Sequence, residues 1–536
     1  MTTGTKANFK LSRTTYEWAL KHLLLEGDTD LLPAPFEIEA LNYDKEILLD
    51  ELQNLDIRNY QWKGGRKFLV PKDKLVPRNV MQFDPFDSLI FAAIIKEYGD
   101  FIEKKRLQVA TDRIFSSRFK PTPDGRFYGE KNGWQKFWEY SLNKASRAEV
   151  KFVVVTDIVD YYNQIYHHVL ENQLSESQVP DFAINAIKGL ITLSSNTVSR
   201  GLPVGPHSVH ILAECAFIPI DRSFLSNGLD YCRYVDDIHV FCKTEADAQI
   251  AIYEMTNILN EQQQLNLHRQ KTRILSAEDF VKHAKSMLIN RPLNQSEEEI
   301  LKIIKKHSNS DNYAKFSLSK LSDKDLETVS QVNIEQLLEL YLKSEPVDFA
   351  RIKWLLRRLS QFGAPGAVDF ILSNLDKLTP ALPEILHYIK SASKNYTENF
   401  NEAGDLVFNA LNNAIVEHSE YMLIVLLNLF SQVPEFNHID RLTATYHRRK
   451  PSVQREILIA AGVAEYGHWI KERKSEYTSA DPWLRRAIIK ASVALPGDEG
   501  IHWINKIKRQ MTPLEKIVTK WAFRQENIKL GEIKLV

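Results

Sequence analysis

The sequence predicts an α+β domain followed by an all-α domain. The first half contains short apolar runs of strand length, such as Phe152 to Thr156, between longer segments of helical periodicity. In the second half the strand patterns end, and apolar residues recur at three- and four-residue spacing with Pro or Gly between the segments. We therefore expect a helical extension at 1–60, the α+β domain at 61–285, a polar linker at 286–320 and a helical domain at 321–536.

The composition limits the class of protein. The chain has 536 residues, of which 44% are hydrophobic and 26% charged, as in a soluble globular protein. Lys and Arg together number 69, as do Asp and Glu, so a surface for nucleic acid would have to be local. The three cysteines lack CxxC spacing, which excludes a zinc ribbon and argues against a disulfide framework. No apolar run reaches about 18 residues and no signal-peptide pattern is present, so we expect a cytoplasmic protein with no membrane partner.

Three carboxylates are predicted to meet at strand ends. The segment Tyr231 to Cys242 reads as a β-hairpin with Asp236 and Asp237 at its tip. The apolar run Phe152 to Thr156 reads as a buried strand that places Asp157 at its carboxyl end. Adjacent buried carboxylates repel each other, and a bound divalent cation usually offsets this repulsion. Two hard cations, roughly 3.5–4 Å apart, are what nucleotidyl transfer requires.

Three further segments accompany these carboxylates. A helical pattern over 162–169 follows the first carboxylate. The loop from Gly201 to Pro206 contains two glycines and two prolines and leads into a helix that starts near His207. The glycines let backbone approach a ligand closely, and the amino end of a helix suits an anion. Downstream, Lys271 falls on a short strand-like segment that follows a helical stretch over 246–264.

A local basic region precedes the first carboxylate. Residues 103–151 hold twelve Lys and Arg against six Asp and Glu. Within this region the segment 113–119, a Pro-Asp-Gly turn and the segment 126–128 read as a hairpin. Aromatic side chains lie among the charges, as they do in surfaces that stack single-stranded nucleic acid.

Taken in chain order, four features resemble the palm of a reverse transcriptase: Asp157, the GLPVG loop at 201–205, YVDD at 234–237 and Lys271. The chain resembles in particular the abortive-infection, AbiK-like reverse transcriptases of bacterial phage defence, over roughly its first 290 residues. The resemblance implies right-handed polymerase fingers and palm. One residue departs from the family pattern, because many members have Gln where this chain has Val204. That region contacts the template base and the incoming nucleotide, so we expect altered template reading.

The resemblance also implies a set of site residues. Asp157 and Asp236 would bind two Mg²⁺ ions, or Mn²⁺ in their place, with Asp237 in support and Ile158 in the same metal-binding set. Lys271 would be a general acid that protonates the departing pyrophosphate. The incoming dNTP would be contacted by an arginine that grips its triphosphate, an aromatic gate that excludes a 2′-hydroxyl, and the glycine-rich loop: Arg118, Tyr162 and Gly205.

The AbiK-like group further implies a product and partners. We expect DNA synthesis in antiphage abortive infection that is template-independent and primed by a tyrosine hydroxyl, with Tyr16 and Tyr43 as local candidates. The partners would be dNTPs, a single-stranded DNA product attached covalently to the protein, and further copies of the chain in a homo-oligomer. Members of this group place helical repeats after the polymerase. Here the helical segments that start at Pro451 and Pro482 resemble HEAT-like repeats.

The sequence leaves other interpretations open. A conventional RNA-templated reverse transcriptase would keep the same carboxylates. A catalytically inactive scaffold that binds nucleic acid would be expected to have lost one of them. A cyclase-type palm would lack the hairpin with Arg118 and the GLPVG loop. His207, His210 and Glu214 share helical spacing, which suggests a zinc site, although a helix that follows the loop already accounts for them.

Overall fold

The chain folds into two compact units. The structure, a computed structural model, describes residues 9–72, 76–129, 132–196, 198–288, 295–307, 318–328 and 331–525. Unit 1 comprises 1–30, 45–67 and 80–288, and unit 2 comprises 31–44, 68–79 and 289–536. Within the described ranges, no helix combines the length and the apolar character needed to cross a bilayer.

The helices and strands follow one another along the chain in two groups. Those up to residue 288 are α1 (Arg13–Glu26), α2 (Glu37–Tyr43), α3 (Lys45–Leu52), β1 (Gly65–Pro71), β2 (Pro77–Phe83), α4 (Pro85–Glu103), α5 (Gly133–Ala145), β3 (Phe152–Thr156), α6 (Tyr161–Gln164), α7 (His167–Glu176), α8 (Asp181–Ser194), α9 (His210–Ser226), β4 (Tyr231–Tyr234), β5 (Asp237–Cys242), α10 (Glu245–Gln263), β6 (Arg273–Ser276) and α11 (Ala277–Met287). Those after residue 288 are α12 (Gln295–His307), α13 (Asp323–Thr328), α14 (Gln331–Leu342), α15 (Phe349–Ser360), α16 (Val368–Ser373), α17 (Leu382–Ala392), α18 (Phe400–Leu411), α19 (Ala414–His418), α20 (Glu420–Gln432), α21 (Ile439–Thr443), α22 (Pro451–Val463), α23 (Gly467–Arg473), α24 (Pro482–Ala491), α25 (Glu499–Ile507) and α26 (Pro513–Gln525).

A four-stranded antiparallel sheet forms the centre of unit 1, in the order β4-β5-β3-β6. The expected buried strand is β3, and the expected hairpin is formed by β4 and β5. Val153 and Phe241 oppose each other and face a core shared with α5 and α11. Val154 and Val240 form the next pair and point to the other face, where α10 packs on β3 and β5. Both faces of the sheet are therefore covered, and the polar groups lie at the strand ends.

Unit 2 is built from helices that stack along the chain. The helices α20, α22, α24 and α26 pack in succession. The last three begin with a proline at their first position, at Pro451, Pro482 and Pro513. Proline suits that position because its missing N–H would have no acceptor within the helix. The described residues after 320 form helices joined by turns, as the sequence predicts, while the HEAT-like assignment stays a prediction.

A short helix from the N-terminal part of the chain belongs to unit 2. Glu37 of α2 is fully buried and accepts hydrogen bonds from Arg455 of α22 and Arg486 of α24, at 2.7–3.0 Å. Next to it, Phe36 stacks on Trp521 of α26. The expected extension at 1–60 is therefore divided between the two units. The arginine partners of Glu37 lie 418 and 449 residues away in sequence, so no local sequence pattern could predict these contacts.

The structure changes two local expectations. The expected linker at 286–320 contains α12, in which Ile300, Ile303 and Ile304 are buried, while 289–294 and 308–317 lie outside the described residues. The helix expected over 162–169 is divided into α6 and α7. The division occurs because Ile165 is extended and its carbonyl accepts a hydrogen bond from the N–H of Gly201.

Candidate active site

Three aspartates meet at the ends of the central strands. Asp157 follows β3, and Asp236 and Asp237 lie where β4 turns into β5. Antiparallel pairing of β3 with β5, in which Thr156 opposes Ile238, brings these residues together. One carboxylate oxygen from each aspartate lies within 4.8 Å of the other two. Asp157 is buried, whereas Asp236 and Asp237 are half-buried, so the cluster is open to a ligand on one side.

The three carboxylates repel one another in a poorly solvated place. Burial, followed by the charges of Asp157 and Asp237, raises the pKa of the Asp236 carboxyl to about 8. Such a cluster becomes favourable when a cation shares it, and hard divalent ions prefer carboxylate oxygens as ligands. The donor set therefore fits a divalent-metal centre. Ile158, also expected in this set, is buried beside Asp157, and its role as a ligand stays a prediction.

Lys271 brings a positive charge to this cluster. Its Nζ lies 2.5 Å from Oδ2 of Asp157, while its side chain remains 46% exposed. The residue lies in a turn just before β6, rather than on the expected strand-like segment, and its N–H donates to the carbonyl of His268. Burial lowers the pKa of the ammonium, but the hydrogen bond to Asp157 and the charges of the aspartates produce a net increase. An ammonium placed here offsets part of the carboxylate repulsion.

The glycine-rich loop packs against β2. Gly205 has a φ of 124°, and a Cβ at this position would come within 2.7 Å of the carbonyl oxygen of Met81. The N–H of Met81 donates to the carbonyl of Val204 over 2.7 Å, and the N–H of Leu202 donates to the carbonyl of Tyr162. Gly205 is thus required for close approach of the protein's own backbone. A contact between Gly205 and a nucleotide stays a prediction.

Tyr162 is held by a histidine. Its Oη lies 2.8 Å from Nδ1 of His210, at the start of α9. Burial, and then the neighbouring Tyr128, Glu214 and Asp236, raise the pKa of the Tyr162 hydroxyl well above its usual range. Burial lowers the pKa of His210 to about 4, so both partners are neutral near pH 7. The hydrogen bond therefore fixes the orientation of a neutral phenol, as a steric gate would require.

Arg118 is engaged by the protein itself. Its Nε donates to the carbonyl of Ile114, and its Nη1 donates to the carbonyl of Leu107 and to Glu103, at 2.8–3.1 Å. The residue is 9% exposed. The expected hairpin over 113–128 pairs at an isolated bridge. This geometry differs from the expected free arginine that grips a triphosphate, because the guanidinium stabilises its own loop.

Glu214 does not join His207 and His210 in a metal site. Its carboxylate accepts a hydrogen bond from Arg106 and forms an ion pair with Arg233. In the described part of the chain, the metal-ligating side chains that come together are those of the three aspartates, and not those of His207, His210 and Glu214.

The two tyrosines considered as primers differ in exposure. Tyr16 is 0% exposed, and among the described residues its hydroxyl has no hydrogen-bond partner. A hydroxyl that attacks a nucleotide must reach it, so this placement contradicts Tyr16 as the primer. Tyr43 is 41% exposed.

Two contributors to the site do not follow from the sequence motifs. Arg233 is buried in β4 just ahead of the aspartates, and His210 holds Tyr162 rather than a metal. An arginine between apolar residues on a strand of the predicted hairpin is the signal that indicates a buried ion pair. No comparable signal pairs His210 with Tyr162.

One family comparison covers the residues of this site. Residues 100–330 match the family described as reverse transcriptase (RNA-dependent DNA polymerase), a segment that contains the three aspartates, Lys271 and the glycine-rich loop. Among solved structures, the chain is similar to apo telomerase from Candida tropicalis, with 10% identity, coverage of 83% of this chain and 69% of that chain, and a TM-score of 0.32. No curated protein matches the chain.

Proposed function

We propose that this chain is a DNA polymerase of antiphage abortive infection. Its reverse-transcriptase domain makes it a nucleotidyltransferase. It adds dNTPs without a template and starts from a protein tyrosine, so that the single-stranded product remains attached to the chain. The observation that carries the polymerase function is the convergence of Asp157, Asp236 and Asp237 within 4.8 Å.

The residues of the site divide the chemistry among them. Two Mg²⁺ ions held by the three aspartates would activate the attacking hydroxyl and stabilise the charge on the leaving pyrophosphate. Lys271, beside Asp157, donates a proton on the pyrophosphate side. Tyr162, fixed by His210, selects deoxynucleotides by excluding a 2′-hydroxyl.

Two features of the chain support synthesis without a template. Val204 replaces the Gln that the family often has beside the template base. Basic and acidic residues are equal in number, whereas a polymerase that holds a long duplex usually has a broader basic surface. Tyr43, which is exposed, is the candidate primer that remains from the sequence. Homo-oligomerisation through the helical unit belongs to the same proposal.

A second candidate is conventional RNA-templated synthesis. The description of the matched family, RNA-dependent DNA polymerase, favours it. An inactive scaffold is a weaker alternative, because all three carboxylates are present and converge.

The test is incorporation of labelled dNTPs by the purified full chain with Mg²⁺ and without added template or primer. We expect label that stays with the protein until protease digestion. Asp236→Asn should reduce it to background, because an amide is a poor ligand for a hard cation in place of a carboxylate. The control is Asp230→Asn, since Asp230 pairs with Arg113 and Lys144 away from the cluster. Tyr43→Phe should remove protein-attached label if Tyr43 is the primer.

Other outcomes separate the candidates. Incorporation on a primed RNA template alone would replace the template-independent proposal with the RNA-templated one. Absence of incorporation under both conditions would contradict polymerase activity.

A further inference from the structure

The turn that carries the catalytic aspartates has an unfavourable backbone conformation. Val235 and Asp236 join β4 to β5, and Val235 has a φ of 55°. A β-branched residue in this left-handed region costs about 1–3 kcal/mol. Two-residue hairpin turns with a positive φ at the first position normally have glycine, asparagine or aspartate there, and not a β-branched residue. Contacts from the surrounding structure must therefore hold the turn.

Arg233 provides such a contact. Its side chain is 1% exposed, and its Nη1 donates to the carbonyl of Val235 over 3.1 Å. The same guanidinium grips Asp221 with Nε at 2.8 Å and Nη2 at 2.6 Å, and Nη2 lies 2.9 Å from Oε2 of Glu214. The guanidinium also lies over the ring of Phe217, 4.1 Å from its centroid. Because the fork is held on several sides, the nitrogen that faces the turn has a fixed position.

The contacts continue into the basic region. Glu214 accepts hydrogen bonds from Nη2 of Arg106, at 2.7 Å, and from the hydroxyl of Ser116. Arg106 in turn donates to the carbonyls of Ser116 and Ser117, each at 2.8 Å. Buried charges of this kind are seldom more stabilising than apolar packing, so stability alone is a weak reason for them. A positioning role gives a better account of their place directly behind the turn.

We propose that Arg233, oriented by Asp221 and Glu214, is a positioning residue for the metal-binding aspartates. By holding the peptide oxygen between Val235 and Asp236, it keeps the turn in the conformation in which the carboxylates converge. This inference rests on the proposed function, since it assigns the aspartates to metal binding. Groups that orient metal ligands typically alter metal affinity by about 10–100-fold.

The test measures Mn²⁺ binding to the full chain without nucleotide, by electron paramagnetic resonance, beside thermal unfolding. Arg233→Lys keeps the charge and loses the planar fork, so it should weaken Mn²⁺ binding by about 10–100-fold. The control is Arg113→Lys, because Arg113 donates to the carbonyls of Leu229 and Tyr231 at the far end of β4. It should leave Mn²⁺ binding unchanged. Asp221→Asn, which removes the charge and one of the two acceptor oxygens that hold Arg233, should weaken binding in the same direction and serves if the lysine variant does not fold.

A second substitution tests the strain directly. Glycine adopts a φ near 55° at little cost, so Val235→Gly should restore most of the Mn²⁺ affinity lost in Arg233→Lys. An Arg233→Lys protein that melts earlier but binds Mn²⁺ like the wild type would overturn the proposal, as would a failure of Val235→Gly to restore binding. Weakened Mn²⁺ binding in a chain that never incorporates dNTPs would contradict the proposed function alone. Active wild-type enzyme with unchanged Mn²⁺ binding in Arg233→Lys would contradict the positioning role alone.

Discussion

Lys271 pairs with a carboxylate that a bound metal ion would also use. The Nζ of Lys271 lies 2.5 Å from Oδ2 of Asp157, so this oxygen is occupied by an ammonium that a metal ion would have to displace. We expect Lys271→Met to raise the Mn²⁺ affinity of the nucleotide-free chain several-fold, because the competing charge is removed. The same variant should lower kcat for dNTP addition by about 10²–10⁴-fold, the usual contribution of a general acid. Metal titration and single-turnover kinetics measure the two effects separately.

The control for this substitution is Lys282→Met on α11, since Lys282 is exposed and pairs with its own helix. It removes the same charge away from the aspartates and should change neither quantity. If Lys271→Met raised the Mn²⁺ affinity but left kcat intact, Lys271 would be a counter-ion and not a proton donor.

At the scale of single residues, the sequence predicted the side chains that are placed by the strand pattern of their own segment. Asp157 follows an apolar run and Asp236 lies in a hairpin, so each segment places its own carboxylate at a strand end, and the pairing of β3 with β5 brings the ends together. The sequence did not predict that Arg118 would be used by its own loop, and it did not decide between Tyr16, which is buried, and Tyr43 as the primer. Those outcomes depend on how segments pack, and residue type and spacing carry no information about that packing.

At the scale of elements, the attachment of α2 to α22 and α24 depends on the buried carboxylate of Glu37. Burial alone would raise the pKa of Glu37, but the charges of Arg455 and Arg486 bring it down to about 2. Glu37→Gln leaves both arginines buried without a full counter-charge, and we expect it to destabilise unit 2 by about 3–5 kcal/mol. Hydrogen exchange of α22 and α24 in the full chain measures this loss. The control is Glu39→Gln, an exposed position on the same helix, which should change little.

Glu37→Gln compared with the wild type also gives a pH signature. The pKa of Glu37 is lower in the folded chain than the usual 4.5, so its contribution is complete above about pH 4.5 and is lost as the pH falls towards about 2. The wild type should lose stability over this window more steeply than Glu37→Gln. Parallel pH curves for the two proteins would contradict the ion-pair account.

Elements with a strong local pattern were predicted well. The strand β3 and the helix α10 occur where the apolar run and the helical spacing place them. The helix expected over 162–169 was wrong in one respect, because the loop at Gly201 takes the carbonyl of Ile165 and interrupts it. Only a contact between distant segments could show that interruption.

At the scale of the whole molecule, the chain changes from mixed to helical structure. The sequence expected the boundary at 285, and unit 1 ends at 288. The discontinuous part of unit 2, at 31–44 and 68–79, was not predicted. For 31–44 the assignment is decided by the buried ion pairs of Glu37 and the ring contact of Phe36, whose partners lie several hundred residues away in sequence.

The stability of unit 1 should respond to pH through buried groups that act in opposite directions. Burial lowers the pKa of His22, His210 and His239 to about 3, 4 and 3, so stability is lost as the pH falls below about 6.5. Burial raises the pKa of Asp28 and Asp87 to about 7, so their contribution is present at low pH and is lost as the pH rises towards about 7. Because the two sets oppose each other, the wild-type profile alone does not separate them.

A substitution at His239 isolates the contribution of one histidine to the pH dependence of stability. His239 stacks on Phe137 at 4.4 Å and contacts Phe280, so His239→Phe should be accommodated in an aromatic core. Between pH 7 and pH 4.5 the variant should gain roughly 2 kcal/mol relative to the wild type, because its unfolded chain no longer takes up that proton. Hydrogen exchange of β3 and β5 reports on unit 1 at both pH values, and His468→Phe, at an exposed position, is the control. If the stability of His239→Phe and of the wild type depended equally on pH, the imidazole of His239 would take up its proton within the folded core. The inference that His239 is neutral in the folded protein would then be wrong.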